Sequence, residues 1–217
     1  MENIIEVNQA TKIIGDKIIL DNINLSFETG KIHGIIGRNG AGKTMLMKSI
    51  CGLMRLSSGN IQVGKINLNE KTDDIPEDIG IIIESPGFLP QFSGFKNLKF
   101  LAGIKDLISD DEILQALEIV GLTHAKDLKV ANYSMGMRQR LGLAQAFMEN
   151  QHILILDEPM NGLDNQGVQD MRKLLLELKD SGRTIILASH TQEDIKILCD
   201  TVVELDHGKV INKETFS

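Results

Sequence analysis

The sequence predicts an α/β fold with a mainly parallel sheet, an N-terminal antiparallel β lobe and an inserted helical lobe. Three observations carry this. Short, continuous apolar runs at 32–36, 79–83, 153–156 and 184–189 have the composition of strands buried on both faces. Segments with helical spacing separate the later runs, which is the βαβ alternation that builds a parallel sheet. The start of the chain instead alternates apolar with polar residues, as half-buried antiparallel strands do.

Residues 4–7 and 18–27 read as strands on either side of a Gly15-Asp16 turn, with Ile19, Ile23, Leu25 and Phe27 on one apolar side. The run 32–36 meets a glycine-rich turn, and residues 43–51 continue with helical character. Ile61, Val63 and Ile66 mark short edge strands after Ser57-Ser58-Gly59. Residues 95–101 and 110–120 are predicted helices. In the second, Asp110 or Asp111 caps the start, Ile113, Leu114, Leu117 and Val120 form the stripe, and Gly121 ends it. Further helices are expected at 137–148, 168–178 and 193–198 and a strand at 202–205, with Asp206-His207-Gly208-Lys209 turning into a strand at 210–212. Residues 1–217 are expected to form a single domain, its helical lobe at about 85–150, with no further domain in the short tail after 212.

A chain of 217 residues with 42% hydrophobic content buries a sizeable core. Its net charge of -7, from 30 acidic against 23 basic residues, argues against a nucleic-acid partner. Cys51 and Cys199 lie far apart without metal-type spacing, so two buried, reduced thiols are expected. No apolar run approaches the roughly 18 residues of a membrane span, and the acidic start, Met1-Glu2-Asn3-Ile4-Ile5-Glu6, does not resemble a signal peptide. The chain is expected not to cross a membrane by itself; docking onto a membrane protein stays open.

The strongest local signal is Gly37-Arg38-Asn39-Gly40-Ala41-Gly42-Lys43-Thr44, which satisfies G-x-x-x-x-G-K-[ST] between a predicted strand and a predicted helix. The glycines let backbone N–H groups turn inward around an anion, and the helix start adds partial positive charge. Lys43 would reach the β- and γ-phosphates of a nucleotide, and the Thr44 hydroxyl would take one position on Mg²⁺. This is the mark of a P-loop NTPase core.

A second signal is Ile153-Leu154-Ile155-Leu156-Asp157-Glu158, an apolar strand ending in two carboxylates. Asp157 would hold the Mg²⁺ shell, and Glu158, one residue on, would orient or deprotonate an attacking water.

With both motifs in place, the chain resembles an ATP-binding cassette (ABC) ATPase, the motor subunit of the transporters of that name, over about residues 4 to 212. Tyr133-Ser134-Met135-Gly136-Met137, followed by Arg138-Gln139-Arg140, resembles the family signature, usually Leu-Ser-Gly-Gly-Gln. Asp157-Glu158-Pro159-Met160-Asn161-Gly162-Leu163-Asp164 resembles its Walker B and D-loop, and Ser189-His190 its switch histidine. The resemblance implies ATP and Mg²⁺ as ligands and hydrolysis driven by Glu158 and His190. It implies a head-to-tail homodimer or related heterodimer, each ATP lying between the P-loop of one subunit and the signature, Ser134 and Gly136, of the other, with Asp164 of the D-loop among the nucleotide-binding residues. It implies integral membrane permease subunits as partners, contacted through the helical lobe on the cytoplasmic side of the cell membrane.

Departures from the family pattern narrow the reading. Ile14, in Lys12-Ile13-Ile14-Gly15, stands where members usually stack an aromatic ring on adenine, so apolar contact is kept without π-stacking. Met135 and Met137 replace a glycine and a glutamine of the signature. Glu84, in Ile79-Gly80-Ile81-Ile82-Ile83-Glu84-Ser85-Pro86-Gly87-Phe88, replaces the usual glutamine at Mg²⁺ or the attacking water, which adds both a stronger metal ligand and like charge near the γ-phosphate. This form resembles the ATPases of bacitracin and lantibiotic resistance exporters, which implies export of a peptide antibiotic. A GTPase is excluded: the nearest match to Asn-Lys-x-Asp, Asn212-Lys213-Glu214-Thr215, lacks the aspartate. The rival is a soluble cassette ATPase of iron–sulfur assembly, or a regulator without turnover; Glu84 speaks against the first and Glu158 against the second. His33, His124, His152 and His207 match no motif.

Overall fold

The computed structural model describes residues 2–68, 76, 78–84 and 87–216. Its centre is a six-stranded sheet in the order β10-β9-β3-β8-β7-β6. These are β3 (Ile32–Ile36), β6 (Ile79–Ile82), β7 (Ile153–Asp157), β8 (Thr184–Ala188), β9 (Thr201–Asp206) and β10 (Lys209–Thr215). All pair in parallel except β10, which folds back on β9 through a turn with His207 and Gly208 at positive φ. That two-residue turn suits the right-handed twist of a hairpin.

A second, antiparallel sheet runs β2-β1-β4-β5, from β1 (Asn3–Ile14), β2 (Lys17–Glu28), β4 (Ser58–Val63) and β5 (Ile66–Asn67). The first two strands run twelve residues each, longer than their apolar pattern suggests, because ladder pairing carries through polar positions up to the Gly15-Asp16 turn. Among the described residues β5 is the edge on that side, and β4 pairs with both β1 and β5. The expectation of short edge strands therefore holds for one of the two.

Side-chain alternation splits the main sheet's contacts between two cores. Ile153 and Ile155 face the antiparallel sheet and α1 (Lys43–Ile50), alongside Ile35, Ile186, Leu46 and Met47. Leu154 and Leu156 face the opposite layer, with α4 (Met135–Phe147) and α5 (Asn165–Asp180). Cys51 and Cys199 are free and buried, and burial pushes both thiols up to about 12, so neither is a reactive thiolate.

The helical lobe holds α2 (Gly94–Lys105) and α3 (Asp110–Ile119) against α4. Buried Asn97 ties the incoming loop to α2, accepting from Leu89 N at 2.7 Å and donating to Ser93 O at 2.9 Å. The cap of α3 is Ser109, not Asp110 or Asp111. Its hydroxyl accepts from Glu112 N while Glu112 Oε2 accepts from Ser109 N at 2.7 Å, a reciprocal capping box that leaves both aspartates in the first turn. Gly121 follows at positive φ, as expected of a stop.

The junction of lobe and core depends on Gly80. A Cβ there would overlap the Ala146 carbonyl of α4, so only glycine lets this helix lie directly on β6. Gly80→Ala is expected to lower stability by about 1–3 kcal/mol or more, as overpacking against a backbone atom does. An unchanged denaturation midpoint would show that α4 does not lie this close.

Candidate active site

The strand order brings four loops to one edge. At the carboxyl ends of adjacent strands β3, β8, β7 and β6 stand the Gly37–Thr44 segment, Ser189-His190, Asp157-Glu158 and Glu84. This carboxyl edge is where open α/β sheets place their ligands.

After β3 the chain passes Gly37, Gly40 and Gly42 at positive φ, then enters α1 with Gly42 as N-cap. At Gly37 a Cβ would meet the Leu205 carbonyl oxygen, so the turn's tightness is set by β9 behind it. Lys43 is 8% exposed, and its Nζ donates to Gly37 O at 2.7 Å, folding the ammonium back over the loop. Arg38 points away, in an ion pair with Asp206 and in contact with His207. Thr44 Oγ1 donates to Asp157 Oδ2 at 2.6 Å, closing a gap of 113 residues in the chain. Hydroxyl and carboxylate thus form two adjacent hard oxygen donors.

Gly42, Lys43, Thr44 and Asp157 line a cleft of about 650 Å³, together with Asn39, Gly40, Ala41, Met45, Glu84, Glu158 and Asn161. Ile19 of β2 supplies an apolar side to the cleft, and Met135 and Gln139 reach it from α4. Ile14 does not line it; that side chain sits at the exposed β1–β2 hairpin tip.

Glu158 and Glu84 both have left-handed backbones, at φ 52 and 64. A non-glycine residue there stores about 1–3 kcal/mol of strain, which surrounding contacts must hold. For Glu158 they are visible: its N–H donates to Ala188 O, and its carbonyl accepts from Asn161 N and from Gln139 Nε2. Its carboxylate meets His190 Nδ1 at 2.8 Å, with the Glu158 side chain 27% and the His190 side chain 69% exposed. Glu84 Oε1 pairs with Lys48 Nζ of α1 at 2.6 Å. At 67% side-chain exposure this pair adds little stability, but it parks the carboxylate beside the cleft. Ser85 and Pro86 of the same motif lie outside the described residues.

The signature segment opens elsewhere. Ser134 N-caps α4, accepting from Met137 N at 3.2 Å, and Gly136 lies near Leu163. With Met135, Arg140, Gly162 and Asp164 they line a separate cavity of about 440 Å³. Asp164 N-caps α5 by accepting from Gly167 N at 2.7 Å. The structure therefore brings residues 39–44, Asp157, Glu158 and Glu84 to one cleft, joins His190 to it through Glu158, turns the Arg38 side chain away, and keeps Ser134, Gly136 and Asp164 at a second opening.

Sequence reasoning missed Ile19, Gln139 and Asn161 as cleft residues, and a buried ion pair behind His190. Arg172 is 4% exposed and Asp194 2%. A signal for Arg172 existed: it falls on the stripe of α5 that also buries Met171, Leu174, Leu175 and Leu178, where a charge is unexpected.

A family model described as ABC transporter matches residues 20–161. The chain is 44% identical to the uncharacterized ABC transporter ATP-binding protein YybJ of Bacillus subtilis (strain 168), over 97% of this chain and 96% of that protein. It is 38% identical to the bacitracin transport ATP-binding protein BcrA of Enterococcus faecalis, over 100% of this chain and 71% of that protein. Its fold is similar to that of the dimeric, post-hydrolysis ATP-binding cassette MJ0796 bound to ADP and Pi, with a TM-score of 0.89 at 23% identity, covering 98% of this chain and 99% of that one. The chain therefore belongs to the ABC transporter family, as an ATP-hydrolysing ATP-binding subunit.

Proposed function

We propose that this subunit powers export of a peptide antibiotic of the bacitracin or lantibiotic kind, through ATP hydrolysis at the cleft. The observation that carries the chemistry is Glu158 standing at the same cleft as the Thr44–Asp157 pair, with its carboxylate bonded to His190 just outside that cleft. The inward N–H groups of Gly37 to Thr44 and the Lys43 ammonium hold the β- and γ-phosphates. Glu158 takes the proton of the attacking water as its oxygen bonds to the γ-phosphorus and the bond to the β–γ bridging oxygen breaks. His190 orients Glu158 and the γ-phosphate.

Mg²⁺ fits the donors present. It takes one or two protein carboxylates along with phosphate oxygens and water, so the Thr44 hydroxyl and Asp157 suffice and Glu84 adds a third oxygen. No cluster of three metal-binding side chains occurs among the described residues, as this kind of site requires none. When bound, the ion neutralises charge on the phosphates.

Ser134, Gly136 and Asp164 serve the ATP of a second subunit in a head-to-tail dimer, which their separate opening supports. The helical lobe docks integral membrane permease subunits on the cytoplasmic side of the membrane. Phe100, Ile104 and Leu107, all at least half exposed, supply an apolar patch there. The antibiotic cargo is supported by the likeness to BcrA and by Glu84.

Purifying the tagged protein from detergent-solubilised membranes of its host tests the transport reading. A co-purifying multi-span subunit is expected; soluble partners alone, with ATPase activity intact, would refute it. Deleting the subunit is expected to raise sensitivity to bacitracin or a lantibiotic, and unchanged sensitivity to both removes the cargo.

A further inference from the structure

We propose that Arg172 is a positioning residue for hydrolysis, acting through Asp194 and Ser189 on the loop that carries His190. The inference rests on the role given above to His190 and Glu158.

The chain of contacts is continuous. Arg172 Nε and Nη2 both donate to Asp194 Oδ1, at 2.8 and 2.6 Å, and Nη2 also reaches Glu193 at 3.0 Å. The other oxygen, Asp194 Oδ2, accepts from Ser189 Oγ at 3.1 Å. Ser189 Oγ in turn accepts from Thr191 N at 3.1 Å. One buried carboxylate is thereby divided between Arg172 of α5 and Ser189, and the Ser189 hydroxyl in turn holds Thr191, so both neighbours of His190 are tied in. The imidazole is mostly exposed, and its hydrogen-bond partner is Glu158. What keeps it aimed is the backbone on either side, and that backbone is fastened to Arg172.

A buried ion pair is a poor device for stability, since apolar residues of similar volume often do as well. Its use here fits orientation better. A polar cavity of about 600 Å³ joins the two ends, lined by Glu158 and His190 at one side and by Arg172 and Asp194 at the other. Because His190 Nδ1 bonds the Glu158 carboxylate at 2.8 Å, a shift of the His190 loop moves that carboxylate's partner. Misplacing a reacting group by even about 1 Å costs up to about a hundredfold in rate.

The test is a mutant cycle read as kcat and as ATP dissociation constant. Arg172→Met leaves Asp194 unpaired and is prone to misfold, so the main variant is the double Arg172→Met/Asp194→Leu, which removes both charges together. Ser189→Ala cuts the loop contact without orphaning a charge. Both are expected to lower kcat, the double variant about tenfold or more, with ATP affinity unchanged. In a His190→Ala background neither should lower kcat further, because the residue they position is gone. Arg172→Lys is expected to recover only part of the rate, since one ammonium does not reproduce the two-nitrogen contact. Unchanged kcat in a folded double variant would overturn the proposal, and so would an equal fall in the His190→Ala background. If His190→Ala alone turns over normally, the reading of His190 fails first and the inference with it.

Discussion

Lys43→Ala is expected to weaken ATP binding about ten- to a hundredfold while leaving the fold intact. The magnitude follows from removing one charge-assisted contact of about 1.5–3 kcal/mol from a polyanion. Lys43 is nearly buried against its own loop, with Nζ at 2.7 Å from Gly37 O. This carbonyl contact holds the ammonium at the mouth of the turn, where phosphate oxygens would replace or join the carbonyl. Truncation removes the charge but not the turn, whose shape comes from Gly37, Gly40, Gly42 and the Leu205 carbonyl behind them. Titration calorimetry with ATP reads the affinity, and thermal denaturation without nucleotide reads the fold. Equal affinity in the variant would remove Lys43 from the phosphate site. A lowered melting temperature without nucleotide would mean that the lysine braces the loop instead.

Glu158→Gln is expected to leave ATP binding near its native level and to lower kcat by about 10²- to 10⁴-fold, the usual worth of a general base. The substitution keeps size and a hydrogen-bond acceptor toward His190, so the geometry of the 2.8 Å contact is disturbed little. It removes the carboxylate that takes the proton. The left-handed backbone at Glu158, held by Ala188, Asn161 and Gln139, belongs to the main chain and survives the change. The variant is also expected to accumulate an ATP-bound dimer, visible as a doubled mass by light scattering with nucleotide present. Hydrolysis at the native rate would remove Glu158 from its role, and loss of ATP binding would assign it to the nucleotide rather than to the water.

Much of the site was legible without coordinates. The Gly37–Thr44 turn and the Asp157-Glu158 pair announce themselves because each is a local device, a few residues whose backbone and donors act together. Ser109-x-x-Glu112 was legible in the same way, as a capping-box spacing, and reading Asp110 or Asp111 as the cap passed over it. Ile14 shows the opposite case. Its place just before Gly15 puts it at the hairpin tip, but whether a tip side chain or Ile19 faces the cleft depends on how the antiparallel sheet leans on the P-loop.

By itself the sequence determined the fold class, the strand–turn–helix phosphate motif, the acid pair and the order of the family's motifs, since each is encoded by short-range spacing and periodicity. The tertiary structure decided which of these motifs meet. Placing β8 between β3 and β7 sets His190 against Glu158, packing the P-loop helix α1 against β7 brings Thr44 to Asp157, and the bare backbone of Gly80 lets α4 settle on β6. It also decided that Arg172, one charge on an otherwise apolar stripe, is buried with Asp194 behind the catalytic loop. Such pairings join residues far apart in the chain. They follow from strand order and close packing, which no local window of sequence contains.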